Sequence, residues 1–117
     1  MAAYSKQLLS GSTNGQPILI AATASPGTLI HTATSSTVDF DEIWLWCQNT
    51  SGSAVNLTIQ YGGTTSPNNS FTLSMAAASG LYLLVPGLIL NNSLVVRAFA
   101  GTASVLTITG FVNRITA

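Results

Sequence analysis

The chain has 117 residues, enough for one domain of ordinary size, and only six of them carry a formal charge. An average globular chain of this length carries about 29 charged residues, and here the three basic and three acidic side chains cancel to zero. The sequence therefore offers no basic surface for nucleic acid or anionic lipid, and few titratable groups for catalysis; we expect neither nucleic-acid binding nor enzyme activity, and no cofactor.

The first predicted element is an N-terminal arm over residues 1–16. This segment is mostly polar and contains the turn-like stretch 10–16 before Pro17, so we expect it to lie outside the core. Two alternatives remain open for it: an arm that reaches a neighbouring subunit, or a frayed terminus.

From residue 17 onward the pattern predicts strand after strand. The clearest alternation covers 54–61, where Val55, Leu57, Ile59 and Tyr61 share one face. Eight strands at spacings of about 8 to 12 residues predict an all-β domain over 17–117, a single jelly-roll-like β-sandwich. The strands are expected over 18–23, 28–34, 38–48, 54–61, 71–75, 81–90, 94–99 and 105–115.

Two residues mark irregular strands. Pro86 lies inside an otherwise apolar run and predicts an edge strand or a corner between sheets. Gly110 lies inside the last strand and predicts either a bulge or a close approach of a neighbouring backbone.

The strand over 38–48 is apolar on both faces, because Trp44 and Trp46 alternate with Ile43, Leu45 and Cys47. One face must pack on the domain's own core. For the tryptophan face three alternatives remain: a single thick core, a contact with another subunit, since Trp is enriched at interface hot spots, or a ligand such as a sugar. Together with Tyr61, the two tryptophans are our candidates for subunit or capsid contact.

Cys47 is the only cysteine, and no basic residue near it in sequence would activate a thiolate. We therefore expect it to be a small buried apolar side chain.

His31 is the only histidine, and Asp39, Asp41 and Glu42 form the only acidic cluster. The chain contains the residue types of a Ser-His-Asp triad, but no nucleophile-elbow pattern surrounds any serine. We therefore expect His31 to bond to a neighbouring hydroxyl. Because Glu42 points away from the two aspartates on a strand, we expect a solvated strand end that resists edge pairing rather than a metal site.

The high content of hydrophobic, Ser, Thr and Asn residues favours a protein that is built into a larger assembly. Hydrophobic residues make up 47% of the chain, and 14 Ser, 15 Thr and 8 Asn supply most of its polarity. The longest apolar run, 81–90, is half the length of about 20 residues that a spanning helix needs. We predict no membrane association and no secretory signal.

Residues 41–63, DEIWLWCQNTSGSAVNLTIQYGG, resemble a group of small proteins of tailed double-stranded DNA bacteriophages. The shared pattern is an acidic pair, an apolar-aromatic strand, a turn and an alternating strand that ends in aromatic-Gly-Gly. The stretches 17–34 and 110–115 (GFVNRI) fit the same group. Cys47 within the tryptophan strand departs from the pattern.

The resemblance is to capsid decoration, or cement, proteins, which are small β-rich domains, often trimers, that bind the outside of an icosahedral head. It implies a virion protein made in the host cytoplasm and located on the capsid surface, with other copies of the chain and the major capsid protein as partners. It implies no catalytic, cofactor or metal residue. The alternative is a carbohydrate- or receptor-binding module of a head or tail fibre that uses Trp44, Trp46 or Tyr61.

Overall fold

A computed structural model describes residues 3–116, and within them it contains nine β-strands and no helix. Met1, Ala2 and Ala117, at the outer ends of the predicted arm and domain, lie outside the described residues. Among residues 3–116 no helix is long and apolar enough to cross a membrane. The strands are β1 (Ala3–Leu8), β2 (Ile18–Leu19), β3 (Thr28–Thr32), β4 (Phe40–Asn49), β5 (Val55–Tyr61), β6 (Ser70–Met75), β7 (Tyr82–Leu90), β8 (Val95–Ala100) and β9 (Leu106–Thr116).

The strands form two antiparallel sheets. The five-stranded sheet has the order β1-β9-β4-β7, and β2 pairs with the remaining part of β9. The four-stranded sheet has the order β3-β8-β5-β6. The all-β prediction is confirmed, and all eight predicted strands are present, although the first is reduced to two residues.

One hydrophobic cluster joins the inner faces of the two sheets. It includes Ile43 and Leu45 from β4 of the five-stranded sheet and Leu57 and Ile59 from β5 of the four-stranded sheet, each at most 1% exposed. Two sheets that share one apolar layer in this way have a sandwich-like arrangement, since each sheet must bury its apolar face.

The predicted N-terminal arm is not confirmed for the described residues. β1 pairs with β9 along its whole length, from Ala3 opposite Thr116 to Leu8 opposite Phe111, and Leu9 is buried in the core. The segment is polar because β1 is an edge strand with mostly exposed side chains, and an exposed edge strand needs no apolar alternation.

The structure decides between the alternatives for the two irregular strands. β7, which contains Pro86, lies at the edge of the five-stranded sheet, and its register with β4 shifts on either side of the two pairs Trp44–Pro86 and Leu45–Val85. β9 keeps a regular register with β4 through Gly110, where an added Cβ would collide with the carbonyl oxygen of Trp44. The edge strand and the close backbone approach are therefore the correct alternatives.

Candidate functional site

Three aromatic rings meet on the outer face of the five-stranded sheet. Along β4 the side chains of Ile43, Leu45 and Cys47 point into the core, so Trp44 and Trp46 point outward and are partly exposed. Phe111 of β9 pairs directly with Trp44 and shares that face. The prediction of a two-faced strand is confirmed, and the alternative of a single thick core does not hold for the tryptophans.

The rings of Trp44, Trp46 and Phe111, the three-ring cluster, lie at the corners of a nearly equilateral triangle. Their centroids are 6.4, 6.3 and 6.0 Å apart, with angles of 20°, 15° and 29° between the ring planes. Each side chain is thus held by two aromatic neighbours. The cluster is a fixed surface feature rather than a set of independent side chains.

Polar groups frame the three-ring cluster and are satisfied within the chain. The indole Nε1 of Trp44 donates to Glu42 Oε1 at 2.8 Å, and the Asn113 amide donates to the same oxygen at 3.2 Å. These two hydrogen bonds hold the pKa of Glu42 below its ordinary value. The Lys6 ammonium lies 4.7 Å from the Phe111 ring centroid, a cation–π distance.

Gly87 of β7 leaves room for one of these rings. Its φ is +81°, and a Cβ added there would lie 2.9 Å from Cζ2 of Trp44. A residue with a side chain at this position would both adopt a left-handed backbone and push against the indole. The glycine therefore lets Trp44 lie close against the edge strand.

Exposed apolar side chains flank the cluster on both sides. On β1, Tyr4 and Leu8 are 73% and 58% exposed, and they share the outer face with Ile115 and Phe111. On β7, Leu83 pairs with Trp46 and Ile89 pairs with Glu42, which places both on the same face, 42% and 56% exposed. We call the set the aromatic face: Tyr4, Lys6, Leu8, Glu42, Trp44, Trp46, Leu83, Ile89, Phe111 and Asn113.

The outer face of the four-stranded sheet has a different chemistry. On β5 and β6 its side chains are hydroxyls and amides, in the cross-strand pairs Thr58–Thr72 and Asn56–Ser74. Gln60, opposite Ser70, is buried, and its amide accepts from the Gly27 N–H and donates to the Ser25 hydroxyl. β8 adds Arg97 and Phe99 next to these pairs. The two outer faces of the molecule thus divide into a largely apolar one and a largely hydroxylated one.

Tyr61 does not join the three-ring cluster. It lies on the inner face of β5 in the other sheet, where its ring stacks on Phe71 at 5.3 Å between centroids. Its hydroxyl is buried, with no hydrogen-bond partner among residues 3–116, and burial, together with the nearby Asp41 charge, raises its pKa. The structure therefore brings two of the three predicted contact residues together and places the third elsewhere.

A buried polar network connects the two sheets. Asp41 of β4 is fully buried; its carboxylate accepts two hydrogen bonds from Arg114 of β9, at 2.8 and 3.0 Å, and lies 2.7 Å from Nε2 of His31 on β3. The backbone N–H groups of Thr34 and Ser10 donate to Asp41 and to His31 Nδ1 respectively. Because Nδ1 accepts, Nε2 carries the proton that His31 donates to Asp41.

This network corrects two predictions. His31 bonds to a carboxylate and a backbone amide, not to a neighbouring hydroxyl, and both its ring nitrogens are occupied. Asp41 is buried on a central strand rather than exposed at a solvated strand end, because Arg114 and His31 compensate its charge. Within residues 3–116 no group of three or more His, Cys, Asp or Glu side chains could hold a metal ion.

Cys47 is buried as predicted, and burial raises the pKa of its thiol to about 11. At neutral pH the thiol is therefore protonated and unreactive.

Sequence reasoning missed the partners that complete the aromatic face. Phe111 and Asn113 alternate with the buried Val112 in the last strand, a period-two signal that pointed to a second two-faced strand. Lys6 and Leu8 gave no such signal, because the rest of β1 is polar.

Comparison of the chain with protein-family models, curated proteins and solved structures finds no match.

Proposed function

We propose that the chain is a structural protein of a virus particle, a decoration protein that binds the outer face of a tailed-phage head and stabilises it. It acts as a homo-oligomer, with a trimer favoured, and its other partner is the major capsid protein. The observation that carries the proposal is the contrast between the two outer faces in a chain with only six charges. One face is apolar enough to need covering, and the other is hydrated by hydroxyl and amide groups.

We also infer that the sandwich is a jelly roll. Four antiparallel pairs, β2·β9, β3·β8, β4·β7 and β5·β6, make the chain from β2 to β9 one long hairpin. The pairings β4·β9 and β5·β8 connect strands that belong to different pairs of this hairpin. Such pairings are expected if the long hairpin is rolled up into two sheets. Jelly rolls are common in viral capsid proteins and also in lectins, so the topology supports the proposal without deciding it.

A neutral, apolar contact surface suits a protein that reinforces a shell. Surface ion pairs weaken as salt rises, whereas apolar contacts do not. Several equivalent copies engaging several equivalent sites add avidity, so modest single contacts give firm attachment. The resemblance of residues 41–63 to decoration proteins points in the same direction.

The experiment compares heads assembled with and without this protein. We expect the purified chain to co-sediment with heads that lack it, in 50 mM and in 500 mM salt alike, and to raise the temperature at which heads release their DNA. Two matched variants each place a charge on one outer face: Trp46→Asp on the apolar face should weaken both effects, and Thr72→Asp on the polar face should keep both. If the wild-type chain does not sediment with heads and leaves the release temperature unchanged, the proposal is wrong.

A carbohydrate- or receptor-binding role is the second candidate, and the three-ring cluster favours it. Aromatic rings beside a carboxylate and an amide, here Glu42 and Asn113, form a surface on which a sugar ring could stack. Both tryptophans of the chain lie in this cluster. A saturable change of tryptophan emission on titration with oligosaccharides would support this role over the first.

A further inference from the structure

We propose that the aromatic face is the surface through which copies of this chain bind one another. The proposal adds a location to the homo-oligomer, and because the contact is between two identical faces it makes a dimer rather than a trimer. It does not depend on head binding. Three properties of the aromatic face carry it: its size, its charge and the distribution of its exposed side chains.

The size of the face matches a stable interface. β4 and β9 have 10 and 11 residues, so the face is about 33 Å long at about 3.3 Å per residue, and its four main strands span about 19 Å. The resulting area is roughly 600 Å² per copy. Two copies would bury roughly 1,200 Å² in total, at the lower limit for specific stable complexes.

The charge of the face suits a second copy of itself. Its two formal charges, Lys6 and Glu42, lie in one row across three strands, because each pairs with Asn113 of β9. A two-fold axis along β9 near Asn113 brings Lys6 of one copy opposite Glu42 of the other, and the reverse, so both charges are matched between two copies. A nucleic acid or an anionic lipid surface would match only one of them.

The exposed side chains also need a partner on both flanks. Tyr4 and Leu8 on one flank, and Leu83 and Ile89 on the other, are more exposed than the rings between them. A face of roughly 600 Å² is at the upper end of the largest patches that monomers expose, and such patches are often interaction sites. A second copy presents the same apolar flanks and covers both at once, with the three-ring cluster at the centre, where interface hot spots are usually found.

The test places a charge on each flank and measures molar mass by light scattering coupled to size-exclusion chromatography, from 1 to 100 µM. The face variants are Leu8→Asp and Ile89→Asp, and the matched controls are Thr72→Asp and Asn56→Asp on the polar face; all four positions are exposed. We expect the wild type and both controls to form the same dimer. Each face variant should weaken association more than about 100-fold, because a buried unpaired charge costs several kcal/mol.

Two results would overturn the proposal: a wild-type chain that is monomeric at 100 µM, or face variants that keep the wild-type mass. A variant that does not fold is recognised by its circular dichroism, and Leu8→Asn and Ile89→Asn then replace it with a polar but uncharged change. A monomer that still binds heads would remove this inference and the homo-oligomer, and would leave the proposed binding to the head. An oligomer that forms through the aromatic face but never binds heads would support this inference and remove the proposed function.

Discussion

At the scale of single residues, Asp41 is the point where the polar contacts of both sheets converge. Burial alone would raise the pKa of its carboxyl, but the hydrogen bonds from Arg114 and His31, together with the charge of Arg114, more than offset burial and hold the pKa below its ordinary value of 3.8. A group whose folded pKa is depressed contributes stability above its unfolded pKa, and this contribution is lost as pH falls through the folded value. We therefore expect the free energy of unfolding to fall below about pH 4.

The Asp41→Asn variant tests this explanation. Its amide would present a donor to His31 Nε2–H and leave the Arg114 guanidinium without its carboxylate, so we expect a loss of about 3 kcal/mol at pH 7 and a flatter dependence on pH. Denaturant titrations at pH 7, 4 and 3 measure both. Asp39→Asn, which removes the other aspartate of the same acidic cluster, is the control. An Asp41→Asn variant as stable as the control would contradict the network's role.

Tyr61 gives a prediction of opposite sign. Its hydroxyl is buried and has no hydrogen-bond partner in the described part of the chain, and a buried unsatisfied polar group costs about 1–3 kcal/mol. Tyr61→Phe should therefore raise the free energy of unfolding by about 1 kcal/mol, measured by urea titration. Tyr4→Phe, at a position 73% exposed, should change nothing. A destabilised Tyr61→Phe protein would mean that the hydroxyl is in fact satisfied.

At the scale of elements, β7 packs closely against the Trp44 ring of β4 at Gly87. An Ala at position 87 must adopt a positive φ, which costs about 1–2 kcal/mol, and its Cβ would press against Trp44. We expect Gly87→Ala to lower stability by about 2 kcal/mol and to shift the tryptophan emission. Gly52→Ala is the control, because a Cβ there meets no atom within 4 Å. Equal stability and emission in the two variants would contradict the close packing of Trp44 on β7.

β1 is the element that the sequence predicted least well. Its six residues are mostly exposed and hydrogen-bond to β9 on one side only. Because few of its side chains are buried, the sequence shows no apolar alternation that would predict a strand. By the same reasoning its amides should exchange with solvent at least about 100-fold faster than those of β4, which is paired on both sides. Hydrogen exchange read by mass spectrometry measures the ratio. Equal protection of β1 and β4 would show that β1 is a fully integrated strand.

The strand that carries the candidate site was better predicted. Alternation in β4 separated Ile43, Leu45 and Cys47 from the two tryptophans, and the structure confirms that division. What the sequence could not provide is which residues from other strands share the tryptophan face. That depends on the register of β9 against β4, a long-range pairing between residues about 70 positions apart.

At the scale of the whole molecule, charge scarcity and two unlike outer faces are the main properties. The scarcity of charge is visible in the sequence and already favoured an assembled protein. The division into an aromatic and a hydroxylated face is not visible there, because it needs the strand order of both sheets. His31 shows the same limit: its partners Ser10 and Asp41 come from separate segments, and only the fold brings them together.

The aromatic face can be observed directly, because both tryptophans of the chain lie on it. The most direct measurement follows tryptophan emission and its quenching by acrylamide while the wild-type protein is diluted from 100 to 0.1 µM, with molar mass recorded in parallel. We predict that dilution lowers the mass and, over the same concentration range, shifts the emission to longer wavelength and increases quenching. Tryptophans whose emission and quenching stay constant while the oligomer dissociates would contradict the account, and so would a protein that is monomeric throughout.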